Sequence, residues 1–207
     1  MWINRDDLET KILSLIDRIS KAYEYVLRKC SSKHGMTPLQ AELMILVGSG
    51  SLASSVTKAS RFLLVAQPTL SDSLSALKRK GLLETFQDNT DRRVTRFKLT
   101  KYGEEVLMEL QRCLEEFRVS LRDFEREHLR DLFRGLIMLT RNLYRVGIVR
   151  EARMCLTCRY FSSSEGEYYC SLLKMRMSLQ DLKIECPDHE PEVQRLSIGS
   201  GSRRSSL

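Results

Sequence analysis

Apolar residues recur at three- and four-residue spacing over most of this chain, so helices dominate the expected fold. Residues 6–29 place Leu8, Ile12, Leu15, Ile16, Ile19, Tyr23, Val26 and Leu27 on one stripe, which predicts a long amphipathic helix broken at Ser31–Gly35. Thr37-Pro38-Leu39-Gln40 reads as the next helix start. Thr37 can cap, Pro38 suits the first turn, and Gln40 can reach back to the cap amide. This second helix runs to about Val47 and ends in Gly48-Ser49-Gly50-Ser51. A third covers about Ser55–Leu63, with Val56, Ala59, Phe62 and Leu63 inward.

After the turn Leu64-Val65-Ala66 a fourth helix begins at Gln67 or Pro68, continues to Lys80 and stops at Gly81. Leu70, Leu74 and Leu77 form its apolar face. At 100° per residue the opposite face carries Pro68, Asp72, Ser75 and Arg79, flanked by Thr69, Ser71 and Ala76. Short hydroxyl-bearing side chains pack poorly but can lie close to base edges and phosphates. Residues 82–86 and 95–99 are short strand-like runs joined by the polar stretch 87–93, a hairpin with arginines at its tip. Thr100 opens a long helix with Val106, Leu110, Leu114, Phe117, Leu121 and Phe124 on one face. A last helix reaches about Tyr144 through Leu132, Phe133, Leu136, Leu139 and Leu143. These end helices carry more apolar stripe than one small domain can bury, which argues for a homodimer.

Charge sharpens the picture by its location. The chain has 34 basic and 27 acidic residues, a formal charge of +7. Within residues 78–101 there are eight basic residues (Lys78, Arg79, Lys80, Arg92, Arg93, Arg96, Lys98, Lys101) against Glu84, Asp88 and Asp91. A basic stripe confined to one segment is the footprint expected of phosphate contact. At 207 residues, 42% hydrophobic and 29% charged, the chain has the composition of an ordinary soluble protein of one moderate core plus an appendage, or two small domains. No apolar run approaches a membrane span. The N-terminal residues lack the layout of a signal peptide, so a cytoplasmic location is expected.

The run Gln67–Leu83 (QPTLSDSLSALKRKGLL) resembles the recognition helix and the following strand entry of the MarR family of bacterial transcription regulators. Asp88–Gly103 (DNTDRRVTRFKLTKYG) is similar to that family's wing, with its Asp/Arg-rich tip and closing Leu-Thr-x-x-Gly. Thr90 stands where the family often has arginine, which leaves Arg92 and Arg93 as tip cations. The resemblance covers roughly residues 6–145 and is most specific across 67–103. It implies a mainly α fold with a small β-wing: a winged helix-turn-helix, a helical dimerisation region and, appended here, a small four-cysteine module. It implies a dimerisation helix in 1–36, the DNA-binding domain in 37–103 and further dimerisation helices in 104–148. It also implies a homodimer on double-stranded DNA at a near-palindromic operator, with half-sites about one helical turn apart. DNA contacts are expected from Gln67, Thr69, Ser71, Asp72, Ser75, Arg79, Arg92, Arg93 and Arg96. A small-molecule effector between the winged lobe and the dimer helices would also fit the resemblance. Transcriptional regulation, most simply repression, is the expected role.

Cys155 and Cys158 form a Cys-x-x-Cys pair, followed by Cys170 and by Cys186-Pro187. In a reducing compartment such a set points to metal before disulfides. Residues 149–191 are therefore read as a module holding one metal centre, zinc slightly favoured over an iron–sulphur cluster. Forty residues bury too little surface to fold alone, so a cross-link is a physical requirement. The spacing of 2, 11 and 15 intervening residues is irregular, which leaves the metal open. His189 is read as a surface histidine, with a ligand role as the alternative. Cys30 and Cys113 are read as small core or surface residues, with pairing of symmetry-related Cys30 thiols as the alternative.

No Gly-rich nucleotide loop and no His/Asp/Ser constellation is present, so no catalytic residue is expected and the chain is not read as an enzyme. Two other readings compete: a redox or electron-transfer protein using the cysteines, and a constitutive DNA-binding protein with a purely structural zinc. Residues 192–207, low in apolar content, are expected to be a disordered tail.

Overall fold

The computed structural model describes residues 7–50, 56–87, 95–164 and 166–192. Its helices are α1 (Leu8–Ser32), α2 (Pro38–Gly48), α3 (Val56–Phe62), α4 (Gln67–Arg79), α5 (Lys101–Val119) and α6 (Arg126–Arg145). Strands β1 (Leu83–Gln87) and β2 (Thr95–Leu99) pair antiparallel between α4 and α5, with Leu83 opposite Leu99. Three short strands, β3 (Phe161–Ser164), β4 (Glu167–Cys170) and β5 (Met175–Met177), form a second antiparallel sheet. The fold is mainly helical with a small β-wing, as expected. The hairpin tip with Thr90, Arg92 and Arg93, and the tail from residue 193, lie outside the described residues.

Two compact units divide between Phe133 and Arg134, inside α6. The cysteine segment was expected to begin at residue 149, yet the second half of α6 groups with it. The amides of Ile148 and Val149 both donate to Leu143 O at 2.9 and 3.1 Å, folding the chain back onto the helix end.

Capping works as the sequence suggests. Thr37 Oγ1 accepts from Gln40 N at 3.2 Å while Gln40 Oε1 accepts from Thr37 N at 3.3 Å, the reciprocal pair that starts α2. In the first unit Leu27, Leu43, Met44, Leu70, Leu77, Leu83 and Leu110 are fully buried. Each contributes about 2 kcal/mol by removal from water. Only the C-terminal end of the α1 stripe reaches this core. Leu8, Ile12, Leu15 and Ile19 stay exposed.

The junction of α4, the hairpin and α5 is tightly keyed. Thr100 Oγ1 donates to Gly81 O at 2.6 Å and accepts from Gly103 N at 3.0 Å, capping α5 against the end of α4. Gly103 is buried, and a Cβ there would run into the backbone carbonyl of Leu82. The Leu-Thr-x-x-Gly motif thus has a steric reason: only glycine lets α5 approach the strand entry this closely. Gly81 takes φ +70°, the left-handed conformation that ends α4.

Candidate nucleic-acid interface and cysteine site

Helix α4 is positioned by its inward leucines. Leu70, Leu74 and Leu77 are buried, so Gln67, Thr69, Ser71, Asp72, Ser75 and Arg79 face solvent, as the 100° periodicity predicts. The preceding turn is tight: Leu64 takes φ +55°, and Val65 N donates to Ser60 O at 3.0 Å. Gln67 Nε2 donates to Thr57 Oγ1 at 3.3 Å, so this side chain also ties α4 to α3. No side chain caps α4, whose N-cap is Ala66. Its first amides therefore remain open to an external acceptor such as a phosphate oxygen.

The basic stripe is smaller than a residue count suggests. Lys80 Nζ reaches inward to Gly35 O and to Gln40 Oε1, the latter at 3.1 Å. Lys98 pairs with Glu84 at 3.0 Å, and Lys78 Nζ donates to Thr85 Oγ1 at 3.0 Å. Arg79 and Lys101 are exposed and keep their charge toward solvent. Arg96 is half-buried on β2, opposite Phe86 on β1.

The four cysteines of the second unit come together. Cys155, Cys158, Cys170 and Cys186 are all free thiols and line one cavity with Tyr160, Phe161, Leu172, Leu173, Met177 and Asp188. A 3-10 turn over Cys155–Thr157 aims the first pair, closed by Cys158 N donating to Cys155 O at 3.0 Å. Lys183 N donates to Cys155 Sγ at 3.2 Å. Cys170 ends β4, and Cys186 N donates to Arg153 O at 2.8 Å. Burial in apolar surroundings, with the neighbouring Cys186, Cys158 and Cys170, pushes the Cys155 thiol up, against the pull of the Lys183 amide. Among the described residues no group of three or more His, Cys, Asp or Glu side chains is arranged to hold a metal ion. Four soft donors share one cavity, but their geometry is not that of a closed site. The donor set fits a thiophilic metal; the arrangement would have to tighten around it.

His189 is half-buried and does not line the cysteine cavity. Its Nε2 lies 3.0 Å from Thr157 Oγ1, and Thr157 is buried between Cys155 and Cys158. The Thr157 hydroxyl has one proton and two carbonyl acceptors, Ala152 O at 2.6 Å and Met154 O at 3.0 Å. With the hydroxyl proton directed to Ala152 O, the shorter of the two, the imidazole donates from Nε2. Burial holds it below its usual pKa, and the neutral ring braces the Cys-x-x-Cys turn against the chain after Cys186. The signal was the three-residue step from Cys186 to His189, which marks a neighbour of the site as readily as a ligand.

Cys30 and Cys113 depart most from expectation. They form a disulfide joining α1 to α5, with Cα atoms 5.9 Å apart across 83 residues of sequence. Cys30 is buried and Cys113 half-buried. An intrachain bond removes the alternative of symmetry-related Cys30 pairing in this state.

Comparison with known proteins matches this geometry. Residues 36–103, a third of the chain, match the family model of the winged helix DNA-binding domain. The transcriptional regulator AdcR of Streptococcus pneumoniae is 28% identical over 94 residues, 45% of this chain, which spans 63% of AdcR's length. A MarR-family regulator from Silicibacter pomeroyi superposes with TM-score 0.56 at 22% identity, covering 68% of this chain and 92% of its own. Streptococcus pneumoniae FabT, solved in complex with DNA, gives TM-score 0.54 at 22% identity, covering 67% of this chain and 96% of its own. Segment 36–103 is thus a winged helix of the DNA-binding type by sequence match, and the fold around it is shared with solved MarR regulators.

Proposed function

We propose that the protein is a homodimeric, sequence-specific DNA-binding transcription regulator of MarR type, with α4 in the major groove and the β1–β2 hairpin beside it. The observation that carries this reading is the α4 face: exposed Thr69, Ser71, Asp72 and Ser75 with Arg79, set by three buried leucines and open at its N-terminus. The DNA complex of FabT, a fold relative, supports it. Dimerisation is supported by the large apolar side chains left exposed on α1 (Leu8, Ile12, Leu15, Ile19), more than an isolated chain leaves in water.

The four-cysteine cavity holds one metal centre in this reading, zinc or an iron–sulphur cluster, through Cys155, Cys158, Cys170 and Cys186. Such a centre supplies cross-linking to a unit with few other restraints. A redox or metal-sensing role for it would act through the fold of that unit. Among the described residues no helix is long and apolar enough to cross a membrane.

Phosphate contact has a measurable signature. With about six phosphates neutralised per dimer, affinity for a duplex falls about a thousandfold between 50 and 200 mM salt. Fluorescence anisotropy on a labelled duplex reads this slope. A salt-independent affinity would refute groove binding by this face.

A further inference from the structure

We propose that Cys30 and Cys113 are a reversible thiol–disulfide site that takes low-molecular-weight disulfides as oxidant and sets the DNA affinity of the winged helix. The regulatory half rests on the DNA-binding reading above; the redox chemistry does not.

The seam between α1 and α5 is built to keep the two sulphurs opposed. One turn before Cys113, Glu109 Oε2 lies 3.3 Å from His34 Nε2. Three residues after it, Glu116 Oε2 lies 3.1 Å from Lys29 Nζ. Tyr23 and Phe117 meet edge to face at 5.7 Å between centroids. These contacts lie on either side of the disulfide, from Tyr23 and Lys29 on α1 and His34 just past its end, and none of them is covalent. The reduced thiols would therefore stay in register, and closure is intramolecular rather than a search by free ends. The remaining cysteines are thiols grouped around their own cavity in the other unit, so they offer this pair no partner within its unit.

Accessibility assigns the order of attack. Cys113 is half-buried, whereas Cys30 is 1% exposed. The Cys113 thiolate attacks one sulphur of the external disulfide, forming a mixed disulfide and releasing one thiolate. The Cys30 thiolate then attacks the Cys113 sulphur and releases the second. Two protein thiols lose two protons and two electrons, and the external disulfide becomes two thiols. Reduction by a dithiol reverses both steps.

The bond acts on the DNA-reading elements through α5. That helix begins at Thr100, bonded to the carbonyl of Gly81 at the end of α4, and Gly103 packs on Leu82 at the entry to β1. The other anchor, Cys30, lies near the end of α1, three residues before Lys33 leads into the turn to α2. Oxidation thus clamps the helix that carries the hairpin to the helix that leads into α2. Reduction leaves the seam to the non-covalent contacts alone, which keep the thiols opposed but hold α5 to α1 less firmly than the covalent bond.

The test equilibrates the full-length protein with oxidised and reduced glutathione over a range of ratios. Each sample is acid-quenched, alkylated and digested, and its duplex affinity is measured alongside. A linked peptide containing Cys30 and Cys113 that forms and disappears reversibly is expected. DNA affinity should differ at least tenfold between the two ends of the titration. Cys113→Ala, at the half-buried position, and Cys30→Ser should each bind equally at both ends. No linked peptide at any ratio, or one no dithiol reduces, would overturn the site. A reversible bond with affinities within twofold would overturn its regulatory role. Absence of DNA binding in both states, with a normal thiol titration, would refute the DNA-binding reading and uphold the redox site.

Discussion

Chelation of the metal centre proposed for the four-cysteine cavity is expected to unfold residues 149–191 while leaving the first unit intact. Beyond the helix, the described core of this segment is little more than Ala152, Met154, Cys155, Leu156, Leu179 and Leu182, with strands of three or four residues. So few buried side chains cannot by themselves offset the conformational entropy lost on ordering the segment. A thiolate-bound metal adds folding free energy that these side chains do not supply. Limited proteolysis of the whole chain, with and without a chelator under anaerobic conditions, reads the outcome. New cleavage confined to the region after residue 149 is expected, and an unchanged pattern would remove the metal from the account. Elemental analysis with a visible spectrum names the centre: a colourless sample with about one zinc per chain, or a brown one with iron and sulphide.

The second large effect belongs to α4. Substituting Ser71→Glu together with Ser75→Glu should lower affinity for a cognate duplex about a thousandfold, because two carboxylates then face phosphates across a close interface. Both serines are exposed and lie four residues apart, so the like-charge pair costs the helix itself only about 0.5 kcal/mol. An unchanged melting temperature would separate this loss from unfolding. Affinity within threefold of the wild type would place the DNA on another face.

Much of the first unit was legible because its signals are local. The Thr37/Gln40 cap needs four residues, and the α4 face follows from the period of three leucines. What sequence could not show was pairing at a distance. Lys80 and Lys98 look like phosphate ligands in a charge count, but one reaches Gly35 and Gln40 across the fold and the other meets Glu84 across the hairpin. Cys30 and Cys113 are separated by 83 residues, and no periodicity links them. The α1 stripe read correctly as helical, but its period could not say that Leu8 to Ile19 remain uncovered within one chain. In the cysteine segment β3 to β5 are too short and too mixed in polarity to register as alternation. Their positions come from pairing with one another, Phe161 opposite Cys170 and Cys170 opposite Met175. His189 was legible as a neighbour of the cysteines, but its bond to Thr157 depends on a turn that only the fold creates.

The most direct test of the central claim is selection from a pool of random-sequence duplexes by the full-length protein at moderate salt. The account predicts enrichment of a near-palindromic site whose half-sites lie about one helical turn apart. It also predicts that this enrichment vanishes with the Ser71→Glu, Ser75→Glu protein. A pool that stays random with the wild-type protein, or one equally enriched by both proteins, would contradict it.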